Sequence, residues 1–85
     1  MATVTATPQA GKIVVTWSAA NGATSYRIQR RVKGGSWSDL AASYTGGLSY
    51  VDTNVTAGTE YQYAIRGKNT AGNSALKLSA YATAL

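Results

Sequence analysis

Apolar positions along the chain recur with a period of two, in short runs separated by clusters of Gly, Asn, Ser and Thr, and nowhere sustain the period of a helix. This pattern predicts an all-β fold, a seven-stranded antiparallel β-sandwich. Thr3 to Thr7 reads as a first strand closed by Pro8, the single proline, which has no N–H to give a ladder. Lys12 to Ser18 puts Ile13, Val15 and Trp17 on one face, assigned to the core, and Val14 and Thr16 on the other. After an Asn21-Gly22 turn, Tyr26 to Val32 alternates Tyr26 and Ile28 with Arg27 and Gln29. Lys33-Gly34-Gly35 turns the chain into a short edge strand, Trp37 to Ser43, and Tyr44 to Leu48 holds a Gly46-Gly47 turn. A fifth strand begins at Tyr50-Val51, and Asp52 to Gly58 crosses the sandwich. Glu60 to Lys68 is the clearest run, with Tyr61, Tyr63 and Ile65 on one face and Gln62, Ala64 and Arg66 on the other, and is expected to be central. A Gly-containing loop from Asn69 to Asn73 leads to Leu76 to Thr83, where Leu76, Leu78, Ala80 and Ala82 alternate along one face.

Composition narrows the chemistry more than it names it. With 85 residues, the chain is expected to be one domain over residues 1–85. It has no Cys and no His, and its only acids are Asp39, Asp52 and Glu60. Thiolate, imidazole and ordinary metal chemistry therefore lack their parts, and Asp52 and Glu60 lie at strand ends where they anchor turns or neighbouring bases. No catalytic residue, cofactor or metal is expected. No run approaches the roughly 20 apolar residues of a membrane span, and the N-terminus has neither the basic nor the apolar region of a signal peptide. A domain excised from a larger exported protein fits that N-terminus. Asn54-Val55-Thr56 matches a glycosylation triplet and is read as coincidence.

Several segments together resemble the fibronectin type III domain. Val15-Thr16-Trp17, Tyr26-Arg27-Ile28, Tyr50-Val51-Asp52-Thr53 and Val55-Thr56-Ala57-Gly58-Thr59-Glu60-Tyr61 follow one another in that family's order and spacing, across nearly the whole chain. The resemblance implies an immunoglobulin-like sandwich plugged by Trp17. It also implies a tyrosine corner at Tyr61, its hydroxyl bonded to backbone a few residues upstream, with Gly58 easing the bend and Val55 beneath the ring. Ala57 and Gly67 depart from the usual Pro and Ala. The closest stylistic likeness is to modules of large secreted bacterial proteins, including polysaccharide-degrading enzymes and surface adhesins, or of phage virions.

Charge supplies the candidate sites. Eight Lys plus Arg against three Asp plus Glu give a formal net charge of +5. In the resembled fold the third, sixth and seventh strands adjoin, so period two gathers Arg27, Arg31, Arg66 and Lys77 on one outer face, with Lys33 and Lys68 at its margin and no acid. A polyanion could dock there through counterion release, although no aromatic residues interleave with the bases. Trp37, Tyr44 and Tyr81, the aromatics least tied to the core, offer instead a surface for stacking on sugars, against the plainer reading that they pack on the sheet. Arg66-Gly67-Lys68 lacks the acid of an Arg-Gly-Asp triplet, and the loops Ala19 to Ser25, Thr45 to Ser49 and Gly67 to Ala75 carry turn residues and few binding anchors. The expectation is a noncatalytic spacer or accessory module, extracellular or on a cell surface, joined to neighbouring domains of a bacterial parent and monomeric in isolation. Its core is expected around Trp17, Ile28, Tyr61, Tyr63 and Ile65. The alternatives are weak binding of polysaccharide or polyanion, or self-assembly into a virion or surface array, or an engineered scaffold.

Overall fold

Alternation along each run becomes two antiparallel sheets in the computed structural model, which describes residues 3–18, 22–69, 72–73 and 77–85. Strands β1 (Val4–Gln9), β2 (Lys12–Trp17) and β5 (Ser49–Asp52) form one sheet, with β2 in the middle. The second sheet is built on β3 (Ser25–Val32), β4 (Ser38–Tyr44) and β6 (Glu60–Asn69), in the order β4-β3-β6. Three two-residue strands, β7 (Gly72–Asn73), β8 (Lys77–Leu78) and β9 (Ala82–Thr83), all pair with the free side of β6 and together close the sheet. Asn21 of the expected turn, parts of the 19–25 and 67–75 loops, and Leu76 lie outside the described residues.

The core lies between the sheets and takes alternate residues from each. Val4, Ile13, Val15 and Trp17 face Tyr26, Ile28, Tyr61, Tyr63, Ile65 and Ala82 in one buried cluster. Trp17 is met edge-on by Tyr26 at 5.5 Å and by Tyr44 at 6.0 Å, and Tyr44 in turn by Tyr50 at 5.5 Å. These edge-to-face contacts add to area burial because each ring's positive edge meets a negative face. Tyr44 lies over Gly46, where a Cβ would stand 2.7 Å from its Oη, and its hydroxyl donates to the Ser49 carbonyl at 2.6 Å. The bend before β6 turns at Gly58, whose φ of 83° suits glycine, and Tyr61 Oη accepts from the Thr56 N–H at 2.8 Å. Val55 packs partly buried against the same cluster.

Nine strand segments occur among the described residues where seven strands were expected, and Gly72–Asn73 of the expected loop pairs with β6 as β7. Two further differences concern where strands end and which way they face. The first strand does not stop at Pro8: Pro8 pairs with Ile13 and Gln9 with Lys12. Because β1 is an edge, a residue lacking an N–H costs no inward ladder bond there. The last strand is not a single run with Leu76, Leu78, Ala80 and Ala82 on one face. Leu78 pairs with Ala64 and Ala82 with Tyr61, so the last strand carries one more residue than β6 over this stretch. The extra residue is at Ser79, whose hydroxyl accepts the Tyr63 N–H at 3.0 Å while its own N–H donates to the Tyr63 carbonyl at 2.8 Å. A one-residue bulge reverses which face each side chain takes. Leu78 and Ala80 are accordingly exposed, whereas Ser79 and Ala82 are buried.

Trp17→Ala should remove the ring on which this aromatic row rests. Core Trp truncations cost about 3–5 kcal/mol against a usual total of about 5–15. The variant is expected to lose most of its cooperative thermal transition by circular dichroism, and a transition near that of the parent chain would contradict the role given to Trp17.

Candidate functional site

The outer face of the second sheet carries the groups with chemical reach. Strand β3 sends Tyr26, Ile28 and Arg30 inward by parity and leaves Arg27, Gln29 and Arg31 outward, opposite Arg66, Ala64 and Gln62 of β6. Arg31 donates from Nε to Gln62 Oε1 at 3.0 Å, and Gln62 Nε2 donates to the Ser79 carbonyl at 2.9 Å. Gln62 is buried, so the bulge at Ser79 fixes the amide and the amide fixes the guanidinium. The Arg31 guanidinium carbon lies 4.9 Å from the centre of the Trp37 ring and 5.7 Å from that of Tyr81. Trp37, Arg31, Gln62 and Tyr81 thus form a row across the strands, ring, cation, amide and ring. Lys33 Nζ stands 5.7 Å from the same Tyr81 ring and 3.2 Å from Glu60 Oε2.

The expected uniform basic face does not form. Asp39 of β4 lies on it, accepting from Arg27 Nε and Nη2 at 3.0 Å each. The register shifts along the β3–β4 pair, leaving Asp39 opposite Gln29 and within reach of Arg27. The two hydrogen bonds and the field of Arg27 hold the Asp39 carboxyl below its usual range, and Asp39 raises Arg27 reciprocally. Lys77 stands opposite Ile65, a core residue, because of the bulge, and so leaves the face on which Arg27, Arg31 and Arg66 lie. Lys68 donates instead to the Ala42 carbonyl at 2.9 Å and to Ser43 Oγ at 3.1 Å. Arg66 is half-buried in β6, its Nε without a hydrogen-bond partner among the described residues. Aromatic residues do interleave with the charge, through Trp37 and Tyr81. Tyr44 is separate from them, packed in the aromatic row around Trp17.

The other polar cluster is internal. Asp52, on β5 and 3% exposed, accepts at Oδ2 from Arg30 Nη1 at 2.8 Å and from the Tyr63 hydroxyl at 2.7 Å. Its Oδ1 accepts from the Asn54 N–H at 3.1 Å, and Arg30 Nη1 also donates to the Asn54 carbonyl at 2.8 Å. Arg30 lies 5.1 Å over the Tyr61 ring. Burial works against the Arg30 charge, but the hydrogen bond and field of Asp52 outweigh it and raise its pKa. Burial, and then the bond to Asp52, push the Tyr63 hydroxyl far above its ordinary 10.0. The cluster therefore works as a clamp between sheets, with every carboxylate oxygen occupied. Sequence reasoning passed over Arg30 and Gln62. The parity of Arg30 with Tyr26 and Ile28 was a signal for the first, whereas Gln62 had none before its neighbour at Ser79 was known. No group of three or more His, Cys, Asp or Glu able to hold a metal occurs among the described residues.

No protein-family model matches the chain. A segment of an amylopullulanase from Thermoanaerobacterium saccharolyticum is 44% identical over 71 residues, covering 82% of this chain and 6% of that enzyme. The amylopullulanase of Thermoanaerobacter thermohydrosulfuricus is 41% identical over 64 residues, 74% of this chain and 4% of its own length. The chain thus spans a small fraction of these curated relatives. Among solved structures, an Fn3-like protein from Clostridium thermocellum superposes with a TM-score of 0.77 at 29% identity, over 98% of this chain and 86% of that one. Titin kinase and its flanking domains match at a TM-score of 0.79 and 18% identity, over 96% of this chain and 16% of that one, a likeness of fold.

Asp52→Ala would leave the Tyr63 hydroxyl without an acceptor and the Arg30 charge with the Asn54 carbonyl alone. A loss of about 3 kcal/mol is expected in urea unfolding, whereas Asp39→Ala, at an exposed pair, should leave the midpoint close to that of the parent. Equal effects would contradict the clamp. Tyr63 keeps its proton when folded at pH values where the unfolded chain loses it. Stability should therefore fall as pH rises above 10.0. In Tyr63→Phe that part of the alkaline decline should vanish, and an unchanged slope would contradict the assignment.

Proposed function

The chain has the fibronectin type III fold, and we propose that it serves as a noncatalytic accessory module, holding neighbouring domains apart in a bacterial carbohydrate-active enzyme outside the cell. The observation that carries this reading is its match to a small segment within much larger amylopullulanases. Matching segments that make up 6% and 4% of those enzymes support a small folded unit within a larger chain.

The geometry supports a spacer. Thr3 accepts from the Ser18 N–H at 3.3 Å beside the Trp17–Leu48 end of the sandwich. Ala84 accepts from the Gly58 N–H at 2.8 Å, beyond the Asp52 clamp, where Ala82 pairs with Tyr61. Chain entry and exit thus fall at opposite ends of a body whose longest extent is 39 Å. The clamp and the aromatic row lie one toward each end, so both ends are tied sheet to sheet. The noncatalytic reading is supported by the same clamp, which commits Asp52, and by the pairing of Asp39 and Glu60 with bases.

The reading is tested by inserting the chain between two globular reporter domains and measuring X-ray scattering in solution. The largest dimension should grow by close to the long axis of the sandwich relative to a direct fusion, and the chain alone should release no sugar from amylose or pullulan. Reporters that collapse against each other, or sugar release by the isolated chain, would overturn it.

A further inference from the structure

The row Trp37, Arg31, Gln62 and Tyr81 is assembled with more order than a solvated sheet face requires. Its centre is pinned twice, by the Gln62 amide on Arg31 Nε and by the Ser79 carbonyl on Gln62. Alternation from the inward Ala82 puts Tyr81 on this face, and both rings sit within cation–π range of one guanidinium. Tyr81 nevertheless remains 38% exposed and the adjoining Leu78 48%. Side chains held in place before a ligand arrives lose little freedom on binding, which is where the affinity of a small contact comes from.

We infer that this row is a binding cradle for a neutral polysaccharide chain, the two rings stacking on C–H faces of sugar rings and the Arg31 guanidinium between them donating to sugar hydroxyls. Among the described residues, only Nε of Arg31 is engaged in a hydrogen bond, which leaves its remaining N–H groups available to a ligand rich in acceptors. Three features favour an uncharged sugar polymer over other occupants. Of the neighbouring charges that would attract a polyanion, Arg27 is compensated by Asp39 and Lys33 by Glu60, and Lys77 has left the face, while Arg66, four residues from Gln62 along β6, keeps no ion pair among the described residues. A protein partner wants an apolar centre with a polar rim over about 800 Å² per side, whereas here the centre is a cation and an amide and the apolar groups are at the flanks. The alternation of ring, donor and ring follows the alternation of C–H faces and hydroxyls along a glycan. The choice of α-glucans as first probes rests on the accessory-module reading; the cradle itself does not.

The test is a titration of the 15N-labelled chain with maltohexaose, pullulan, cellohexaose and heparin, followed by amide and indole resonances. Saturable shifts at Trp37, Arg31, Gln62 and Tyr81 with a neutral glycan are expected, changing less than twofold in affinity between about 50 and about 500 mM salt. Trp37→Ala and Tyr81→Ala should each weaken binding at least tenfold while keeping a cooperative melt. If Trp37→Ala fails to fold, Tyr81→Ala, at a partly exposed ring, decides. Binding unchanged in the folded variants overturns the proposal, as does an absence of shifts with every neutral glycan. Shifts only with heparin that vanish in salt would assign the face to polyanions instead, and concentration-dependent shifts without sugar would assign it to a second copy of the chain. The scattering of the reporter fusion is independent of all these outcomes, so failure of the cradle leaves the spacer reading to its own test.

Discussion

The carboxylate of Asp52 is the point on which the two sheets agree. It comes from β5 in one sheet, and its principal partners, Arg30 and Tyr63, come from β3 and β6 in the other. A carboxylate this deeply buried would be costly alone. It is tolerated because a guanidinium, a phenol and a backbone N–H fill its lone pairs. Satisfying it fixes where β5 ends, how Asn54 begins the crossing, and which inward position of β3 holds a charge. The crossing then arrives at the Thr56 N–H bound to Tyr61, so two adjacent inward residues of β6 are held from opposite sides of the same turn. Apolar burial supplies most of the driving force, but it is non-directional. The clamp is directional and sets the register in which that burial happens.

A second consequence follows from β6 being central. Its inward residues meet the core, and its outward residues Gln62 and Ala64 are buried as well. An interior amide must then find partners, and it finds Arg31 on one side and the Ser79 carbonyl on the other. The same bulge that offers that carbonyl interrupts the last strand, turns Leu78 outward and moves Lys77 away, while Tyr81 keeps the outward place that alternation from Ala82 gives it. One local irregularity thus takes a base off a face expected to be basic and fixes the amide that holds Arg31 between two aromatic rings. The acids complete the change, since each of the three is paired with a base, and the remaining positive charge is scattered.

For the molecule as a module, these features divide its labour. The interior clamp and the aromatic row around Trp17 tie the sheets together near either end of the long axis, as the proposed spacer role asks. The outer row leaves rings and donors in solvent without disturbing that interior. The likeness to segments of amylopullulanases is compatible with both of these proposals.

The sequence alone determined the class of fold, the positions of the first six strands to within a residue or two, the centrality of β6, and the inward set Trp17, Ile28, Tyr61, Tyr63 and Ile65, which the structure places in one buried cluster. Those features rest on period two and on turn residues, which act within a few positions of the chain. Arg27, Arg31 and Arg66 were legible as outward for the same reason. Only the tertiary structure decided that Asp39 neutralises Arg27, that Lys77 leaves the face, and that Trp37 and Tyr81 meet across Arg31 while Tyr44 turns to the core. Each of these depends on register between strands distant in sequence. A single bulged residue, fixed by a Ser79 hydroxyl replacing a backbone acceptor, exchanges inside for outside without altering the pattern of hydrophobic letters.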